Sequence, residues 1–558
     1  MNLSDSRITP ARALVICTVL VVVCYVNAFP NAFILDDVLI VAGNEHIRHI
    51  APFQLLLQSY WGDLNHAGIY RPLTIFSFSL EYPIWHLWAP GFRLVNLLLH
   101  TLNGWLVFLL VSGLLESPVA ALAAAVVYVI HPLQTEAVVS IVGRSELLAA
   151  TFFFTAWLAF RKGRTGLAAL AYVFGMLSKE SAITFPAIAM LDVALSGGGI
   201  KKVLESWRRF AVLAACGFAY LALRFHVLGG LGVPTSGQYL DGGMTLTQRW
   251  ITSGRVFTQY LLLLIAPVRV TGDYDFNSIP VATLRDWDAW LGLILVAALL
   301  GTAVRFAKKK PAITTGILFF FVALLPVSNW IMPIALLMAE RFLYTPAFGF
   351  ALLAGMAWAG IRDKGVQRVV AAGAVAVAIP LCISHNYIWQ DTLTFHENAV
   401  RVLPQNARAR LGYGFALLRL DKAAEAKVQF EAGLKIKPGS APLLAGLART
   451  MLRIDGRCDR VRPLLVQAFA AEPGQWQSLW LLGDCFGMEG KTEQAEHSYR
   501  MAIENSEFPD VKLLVSWART LEALGKTPAA RAAYQRAAQI DPTDEGIKAK
   551  IRQLAQSN

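Results

Sequence analysis

Apolar positions run in blocks along the first two thirds of the chain and in a helical beat along the last third. Between residues 13 and 384, stretches of about 15–20 mostly apolar residues alternate with short basic loops. From 404 to 558, Arg, Lys, Glu and Gln recur at helical spacing among small apolar residues. The blocks predict spans near 13–29, 93–112, 118–131, 146–160, 165–178, 181–195, 208–228, 288–306, 312–327, 342–361 and 366–384. A crossing takes roughly 20 residues, so the shorter blocks are read as tilted or extended at their ends. Residues 250–268 are also apolar enough to span, yet a span there would place Lys308, Lys309 and Lys310 outside. They are read as a re-entrant or surface-lying amphipathic element on the outer side, its backbone satisfied by protein contacts. The pattern predicts an all-α protein: a polytopic membrane domain of about 11 spans over residues 1–388, then a soluble helical array over 389–558.

The array has a period. Pro404, Pro438, Pro473 and Pro542 close successive units, the first two 34 residues apart. A 34-residue period of paired helices is the tetratricopeptide pattern. Gly414, Ala426 and Phe430 fill its small, small and aromatic positions in the first unit. Leu482-Gly483, Ala495, Tyr499 and Ala502 do so in the third, and Ala530, Tyr534 and Ala537 in the fourth. The second unit is degenerate. Residues 389–404 read as the second helix of a preceding half-unit, and 544–557 as the polar capping helix that a solenoid requires.

Composition removes the soluble classes. The 558 residues are 56% hydrophobic and 16% charged, with a mean hydropathy of +0.49. Soluble domains are about 45–50% apolar and about 25% charged. The net charge of +12 suggests nucleic acid until it is located. Loops 1–12, 113–117, 161–164, 196–209, 305–310 and 361–368 hold 16 Lys and Arg against 4 Asp and Glu, which is the whole of the +12. Basic short loops mark the cytoplasmic face. The charge is a topology signal, and no nucleic-acid partner is expected. Arg7 and Arg12 put the N-terminus inside, and eleven crossings put the repeats outside. A cleaved leader ending near Val26-Asn27-Ala28 is the alternative reading of the first run, and it leaves the later topology unchanged. Six scattered cysteines show neither a metal-site spacing nor a disulfide framework.

Charged residues at the ends of apolar spans need a reason. Asp36-Asp37 follow the first span, and Arg71 precedes another apolar stretch. His131-Pro132 and Glu136 lie in HPLQTEAV, Arg144 and Glu146 open the fourth span, and Lys179-Glu180 open the sixth. Asp273 lies in GDYDFNSIP, and Glu340-Arg341 in MAERFLYTP. By the charge-derived topology all fall on the outer side. Structural readings compete: His131-Pro132 as a helix cap, Glu136–Arg144 as an ion pair, Glu340-Arg341 and Lys179-Glu180 as helix registers. Two adjacent carboxylates beside apolar residues are harder to dismiss, because burial and mutual repulsion both oppose their ionisation.

Seven segments in order carry a resemblance: FILDDVL, YRPLTIFSFSLEY, FRLVNLLLHTLN, HPLQTEAVVSIVGRSELLA, SKESAITFPAIAMLDV, DYDFNSIP and PVSNWIMPIALLMAERFLYTPAFGF. Followed by repeats, they resemble the transmembrane and tetratricopeptide-repeat O-mannosyltransferases, in a shorter, bacterial form. The resemblance implies a type C glycosyltransferase fold and a polyprenyl-phosphate-linked sugar as donor, used at the non-cytoplasmic face. It implies Asp36 or Asp37 as general base; a departing lipid phosphate needs cations more than an acid, and Arg71, Arg144, Lys179 and Arg341, with His131 as a donor, are the candidates for holding it. Glu136, Glu180, Asp273 and Glu340 are the supporting carboxylates. Displacement by one carboxylate-activated hydroxyl would invert the anomeric centre. The expected acceptor is an exported protein gripped by the repeats, in a bacterial inner membrane. Transfer to a lipid or cell-wall glycan, and a non-catalytic scaffold, are the alternatives. Asp36-Asp37 also has the ligand type for a divalent ion, but two carboxylates do not make a site.

Overall fold

The computed structural model describes residues 8–60, 68–230, 244–274, 278–331, 333–334, 336–506, 510–540 and 544–556. Arg7 and Pro542 lie outside the described residues. Among those described there is no strand. The chain forms two compact units, Met1–Val402 and Leu403–Asn558. Residues 389–402, expected as a half-unit of the array, fall in the first.

The first unit contains α1 (Pro10–Tyr25), α2 (Pro72–Trp85), α3 (Ala89–Leu115), α4 (Pro118–Ile130), α5 (Thr135–Val139) and α6 (Arg144–Arg161). It continues with α7 (Thr165–Ser178), α8 (Phe185–Val193), α9 (Trp207–Leu228), α10 (Leu246–Ile265) and α11 (Trp287–Phe306). It closes with α12 (Pro311–Leu324), α13 (Ala347–Gly360), α14 (Lys364–Ile388) and α15 (Thr392–Val402). Pro at the first turn starts α1, α2, α4 and α12, where its missing N–H costs nothing. Among the described residues six helices are long and apolar enough to cross a membrane: α1, α3, α6, α9, α11 and α14 with their flanking turns. α4 and Pro132–Val139 meet the same length and composition only together and are bent by 49°, a broken span or a re-entrant loop. α7, Pro311–Val327 and α13 are apolar but shorter. The eleven blocks are therefore not eleven full-length helices. Pro132 breaks one, and the block at 181–195 becomes a 3₁₀ turn, Glu180–Thr184, and the nine-residue α8. This is a multi-pass membrane protein whose helices stop short where polar segments enter.

Small residues let the helix backbones close. A Cβ on Gly292 of α11 would sit 1.9 Å from the Gly254 carbonyl oxygen of α10, and one on Gly349 of α13 would sit 2.2 Å from that of Gly316 in α12. Such small-residue contacts substitute for the hydrophobic drive that lipid does not supply. The 250–268 segment is α10, with Thr245 and Gln248 forming a capping box at its start. Its contacts run from Ser253 Oγ–H to the Ser328 carbonyl, through Tyr260 Oη–H to that of Ala339, to the Leu264 carbonyl meeting His131. In chain order His131, Ser328 and Ala339 lie beyond the ends of α4, α12 and α13 that are away from the basic loops 113–117, 305–310 and 361–368.

The second unit is a stack of helix pairs: α16 (Ala407–Arg419), α17 (Ala423–Ile436), α18 (Ala441–Asp455), α19 (Cys458–Ala471), α20 (Trp476–Met488), α21 (Thr492–Glu504), α22 (Val511–Ala523) and α23 (Thr527–Ile540). α24 (Glu545–Gln556) covers the end through Ile547 and Leu554. The repeat positions behave as the pattern requires. Phe430, Tyr499 and Tyr534 are buried, and a side chain on Gly414 or Gly483 would strike the Phe430 or Tyr499 ring at 2.6 Å. The fold is all-α, an apolar helical membrane unit followed by a tetratricopeptide solenoid.

Candidate active site

The FILDDVL loop leaves α1 and is held by a residue that the sequence reading did not single out. Arg93, buried at the start of α3, donates to the carbonyls of Phe29, Asn31 and Ala32 in the loop and of Val139 at the end of α5. Asn31 donates to the Asn386 carbonyl, and the Ala32 N–H to that of Gln390. The loop is thus pinned between α3 and the end of α14. Leu35 takes φ = +49°, a conformation that costs an L-residue with a Cβ roughly 1–2 kcal/mol, and the chain turns there into Asp36-Asp37.

The two carboxylates differ. Asp37 is 1% exposed; its Oδ1 accepts the Val142 N–H at 2.9 Å and the Ser140 hydroxyl at 3.3 Å, and its Oδ2 is buried without a partner. Burial pushes its pKa up to about 6 against the pull of the Val142 N–H and Arg93. Asp36 is partly exposed. It acts electrostatically on both Arg341 and Tyr60.

Around it the charges pair across the fold, never with their sequence neighbours. Arg71, at the start of α2, is bidentate to Glu180: Nε to Oε2 at 3.0 Å and Nη2 to Oε1 at 2.6 Å. Its guanidinium lies 5.3 Å from the Tyr60 ring centre. Lys179 turns the other way, to Glu146 on α6, and both are buried. Arg341 gives its backbone N–H and its Nη1 to Glu136 at 2.7 and 2.6 Å, while Glu340 turns to the Thr271 N–H at 2.8 Å and the Tyr274 hydroxyl. Burial, and then the charge of Glu136, raise Glu340 to about 7. The Glu136–Arg144 pair expected as a structural reading does not form, because Glu136 belongs to Arg341. Burial opposes the charge on Arg341, but Glu136, Asp36 and Glu146 hold its pKa above the ordinary guanidinium value.

Three expected phosphate ligands, Lys179 in its buried pair with Glu146, Arg144 and His131, are engaged inside the fold. Arg144 is fully buried, paired with Glu81, and donates to Asn96 Oδ1 and, at 2.7 Å, to the Phe92 carbonyl; it ties α6 to α2 and α3. Gly143 before it must lack a side chain, since a Cβ would lie 2.2 Å from the Ala137 carbonyl oxygen. His131 is the helix cap of the competing reading. Its Nδ1 receives the Leu133 N–H at 3.3 Å, so its Nε2 donates to the Leu264 carbonyl at 3.0 Å. Asp273 is buried in the segment that Glu340 holds. Asp275 lies outside the described residues. Among the described residues no three His, Cys, Asp or Glu side chains are placed to hold a metal.

The sequence reading listed the charges, Glu146 beside Arg144 among them, but missed Glu81, Arg93 and Tyr60 as partners and supports. Only Arg93 and Glu81 carried a signal, as charges inside otherwise apolar runs. The site combines one partly exposed carboxylate with two arginines whose side chains are 15% and 27% exposed, Arg71 and Arg341. The buried Asp37 supplies a stability test. Its folded-state pKa exceeds the ordinary carboxylate value, so the fold binds its proton more tightly and loses stability as pH rises through about 4 to 6. Asp37→Asn should remove that slope and stabilise the protein by about 1–3 kcal/mol at neutral pH. Thermal unfolding in detergent at about pH 3.5 and about pH 7.5, on either side of that window, checks it. An unchanged slope would show that Asp37 is not the titrating group.

No family model matches the chain. Among curated proteins it is 23% identical over 582 residues to the protein O-mannosyl-transferase TMTC3 of Mus musculus, covering 93% of this chain and 63% of that protein. It is 25% identical to Tmtc3 of Drosophila melanogaster, with 86% and 63% covered, and 25% identical to TMTC4 of Homo sapiens, with 74% and 64% covered. The chain thus spans less than two thirds of the length of these relatives. Among solved structures, a thermophilic TPR protein of Thermus thermophilus matches 33% of this chain and 98% of its own at 17% identity and a TM-score of 0.26. YrrB, a TPR protein with an unusual peptide-binding site, matches 34% and 98% at 17% identity and a TM-score of 0.24. The repeat assignment rests on the helix pairs described above. Along most of its length, through the site segments and into the repeats, this chain is similar to the transmembrane and tetratricopeptide-repeat protein O-mannosyl-transferases.

Proposed function

We propose that this protein transfers a sugar, mannose or a similar hexose, from a polyprenyl-phosphate donor to hydroxyl groups of exported proteins at the non-cytoplasmic face of a bacterial inner membrane. The observation that carries the reading is the convergence of Asp36, Arg71 and Arg341 at the bundle end away from the basic loops. Transfer from a lipid phosphate asks for a base at the acceptor hydroxyl and for cations at the departing phosphate, rather than for an acid. Asp36 is the carboxylate left available, since Asp37 is committed to the Val142 N–H. Asp36 removes the hydroxyl proton as oxygen attacks the anomeric carbon, and the lipid phosphate leaves from the opposite side with inversion. Arg341 and Arg71 receive the phosphate. Each already faces a carboxylate, so the phosphate shares the guanidinium rather than meeting an unpaired cation. Glu136 and Glu180 thereby orient the arginines in advance, which lowers the reorganisation needed during transfer.

The face can be tested directly. An alkaline phosphatase fused after residue 558 should be active and a cytoplasmic reporter at the same place silent. The reverse result would put the repeats inside and remove the proposed face of action.

The repeats supply the acceptor grip in this reading, because solenoids present a continuous surface to extended peptides. They form a compact unit with its own core, so deleting 403–558 should leave the first unit inserted. Transfer to a short peptide should persist while transfer to a folded exported protein falls by about tenfold or more, the loss of roughly 1.4 kcal/mol or more of tethering. Equal rates on the full acceptor would end the grip idea and favour a lipid or glycan acceptor.

A further inference from the structure

Spacing in the sequence pairs none of the six cysteines, but the fold brings two together in the second unit. Cys458 opens α19, and Cys485 lies in the last turn of α20. A four-residue connection joins these helices, which makes them antiparallel neighbours. Val461 and Leu465 of α19 share a core with Leu481 of α20. One turn back from Val461 is Cys458, and one turn on from Leu481 is Cys485, so the register sets the two sulphurs opposite each other. Arg462 confirms that register: it ion-pairs with Glu489, and its guanidinium lies 5.4 Å from the Phe486 ring centre. Cys458 is 7% exposed and Cys485 fully buried, and the two lie close enough for Cys458 to act on the charge of Cys485.

We propose that Cys458 and Cys485 are joined by a disulfide in the mature protein. The inference rests on the reading that the repeats lie outside the cytoplasm, where disulfides form and persist. The oxidant is a disulfide-carrying donor protein of that compartment. One cysteine thiolate attacks the donor disulfide and expels a donor thiolate; the second cysteine then attacks the mixed disulfide and expels the other. Two cysteine thiols lose two protons and two electrons, and the donor disulfide becomes a dithiol. The exchange occurs before α19 and α20 pack, because burial afterwards raises the Cys485 thiol and hides both sulphurs. The location has a structural reason. The bond joins the degenerate second repeat, whose α19 carries Pro463 inside the helix, to the regular third. A cross-link there constrains the unfolded chain where repeat packing is least regular.

The test uses the full-length chain in its cells, quenched with N-ethylmaleimide before lysis, then denatured and digested. Cleavage at Arg457, Arg460 and Lys491 separates the two cysteines. The expected result is a cross-linked peptide pair, with fewer than about one chain in ten alkylated at either site, as for a buried structural disulfide. In Cys458→Ser, Cys485 should become alkylated in nearly every chain after denaturation. Full alkylation of both cysteines in the unsubstituted protein overturns the proposal. A parallel sample of purified full-length chain, reduced, unfolded and refolded with oxidised glutathione, then identifies which premise failed. Linkage there but not in cells means that the repeats are not in an oxidising compartment; linkage in neither means that the pairing is wrong.

Discussion

Asp36→Asn should lower sugar transfer by about 10²–10⁴-fold, the usual effect of losing a general base, or roughly 3–5 kcal/mol of barrier. An amide keeps the shape of the side chain but takes no proton at neutral pH. Because Asp36 is partly exposed and carries no fold contact comparable to that of Asp37, insertion and donor binding should be unchanged. Asp37→Asn is the matched control. Its retained carbonyl can still accept the Val142 N–H, so it should keep most of the transfer rate. Initial rates with a polyprenyl-phosphate sugar and an acceptor peptide decide between them. If the Asp37 variant is dead and the Asp36 variant active, the roles are reversed. If both are active, the base lies elsewhere.

Arg341→Ala should produce two separable losses. Glu136, fully buried at its side chain, would be stranded, and leaving a buried charge without its partner costs roughly 3–5 kcal/mol. Donor affinity should also fall by about 10–100-fold, the worth of a charge-assisted hydrogen bond to phosphate. Adding Glu136→Gln removes the stranded charge, so the double variant should regain most of the stability and none of the donor affinity. Thermal unfolding and donor-lipid binding, measured on the same preparations, separate the effects. Recovery of both in the double variant would make Arg341 a structural residue and leave Arg71 as the phosphate ligand.

How far the sequence could be read depended on the range of the interactions. Periodicity is local, and it located the long apolar blocks, though not α2 (Pro72–Trp85), and the repeat positions at Gly414, Phe430, Gly483, Tyr499 and Tyr534. It did not reveal that the block at 181–195 is interrupted by a 3₁₀ turn, because composition alone does not report where a helix stops. The candidate charges were visible for the same reason that made them suspect: they are costly beside apolar spans. Their pairing was not visible. Lys179 and Glu180 are adjacent in the chain, yet one turns to Glu146 and the other to Arg71, because the extended backbone at Lys179 separates successive side chains. Arg144 looks like Arg341 in sequence, but the Glu81 carboxylate and the Asn96 amide oxygen seal it within the helices. Which charge is accessible is a property of packing, and packing distinguishes Asp36 from Asp37 as well.

The most direct test of the account is transfer in a defined system: the purified full-length chain in liposomes, with a polyprenyl-phosphate-linked hexose and an exported protein from the same cells, read by intact mass. The account predicts one or more added hexoses on Ser or Thr of the acceptor, dependent on the lipid donor and lost in Asp36→Asn. An acceptor left unmodified by the well-folded protein, or modified equally by Asp36→Asn, would contradict it.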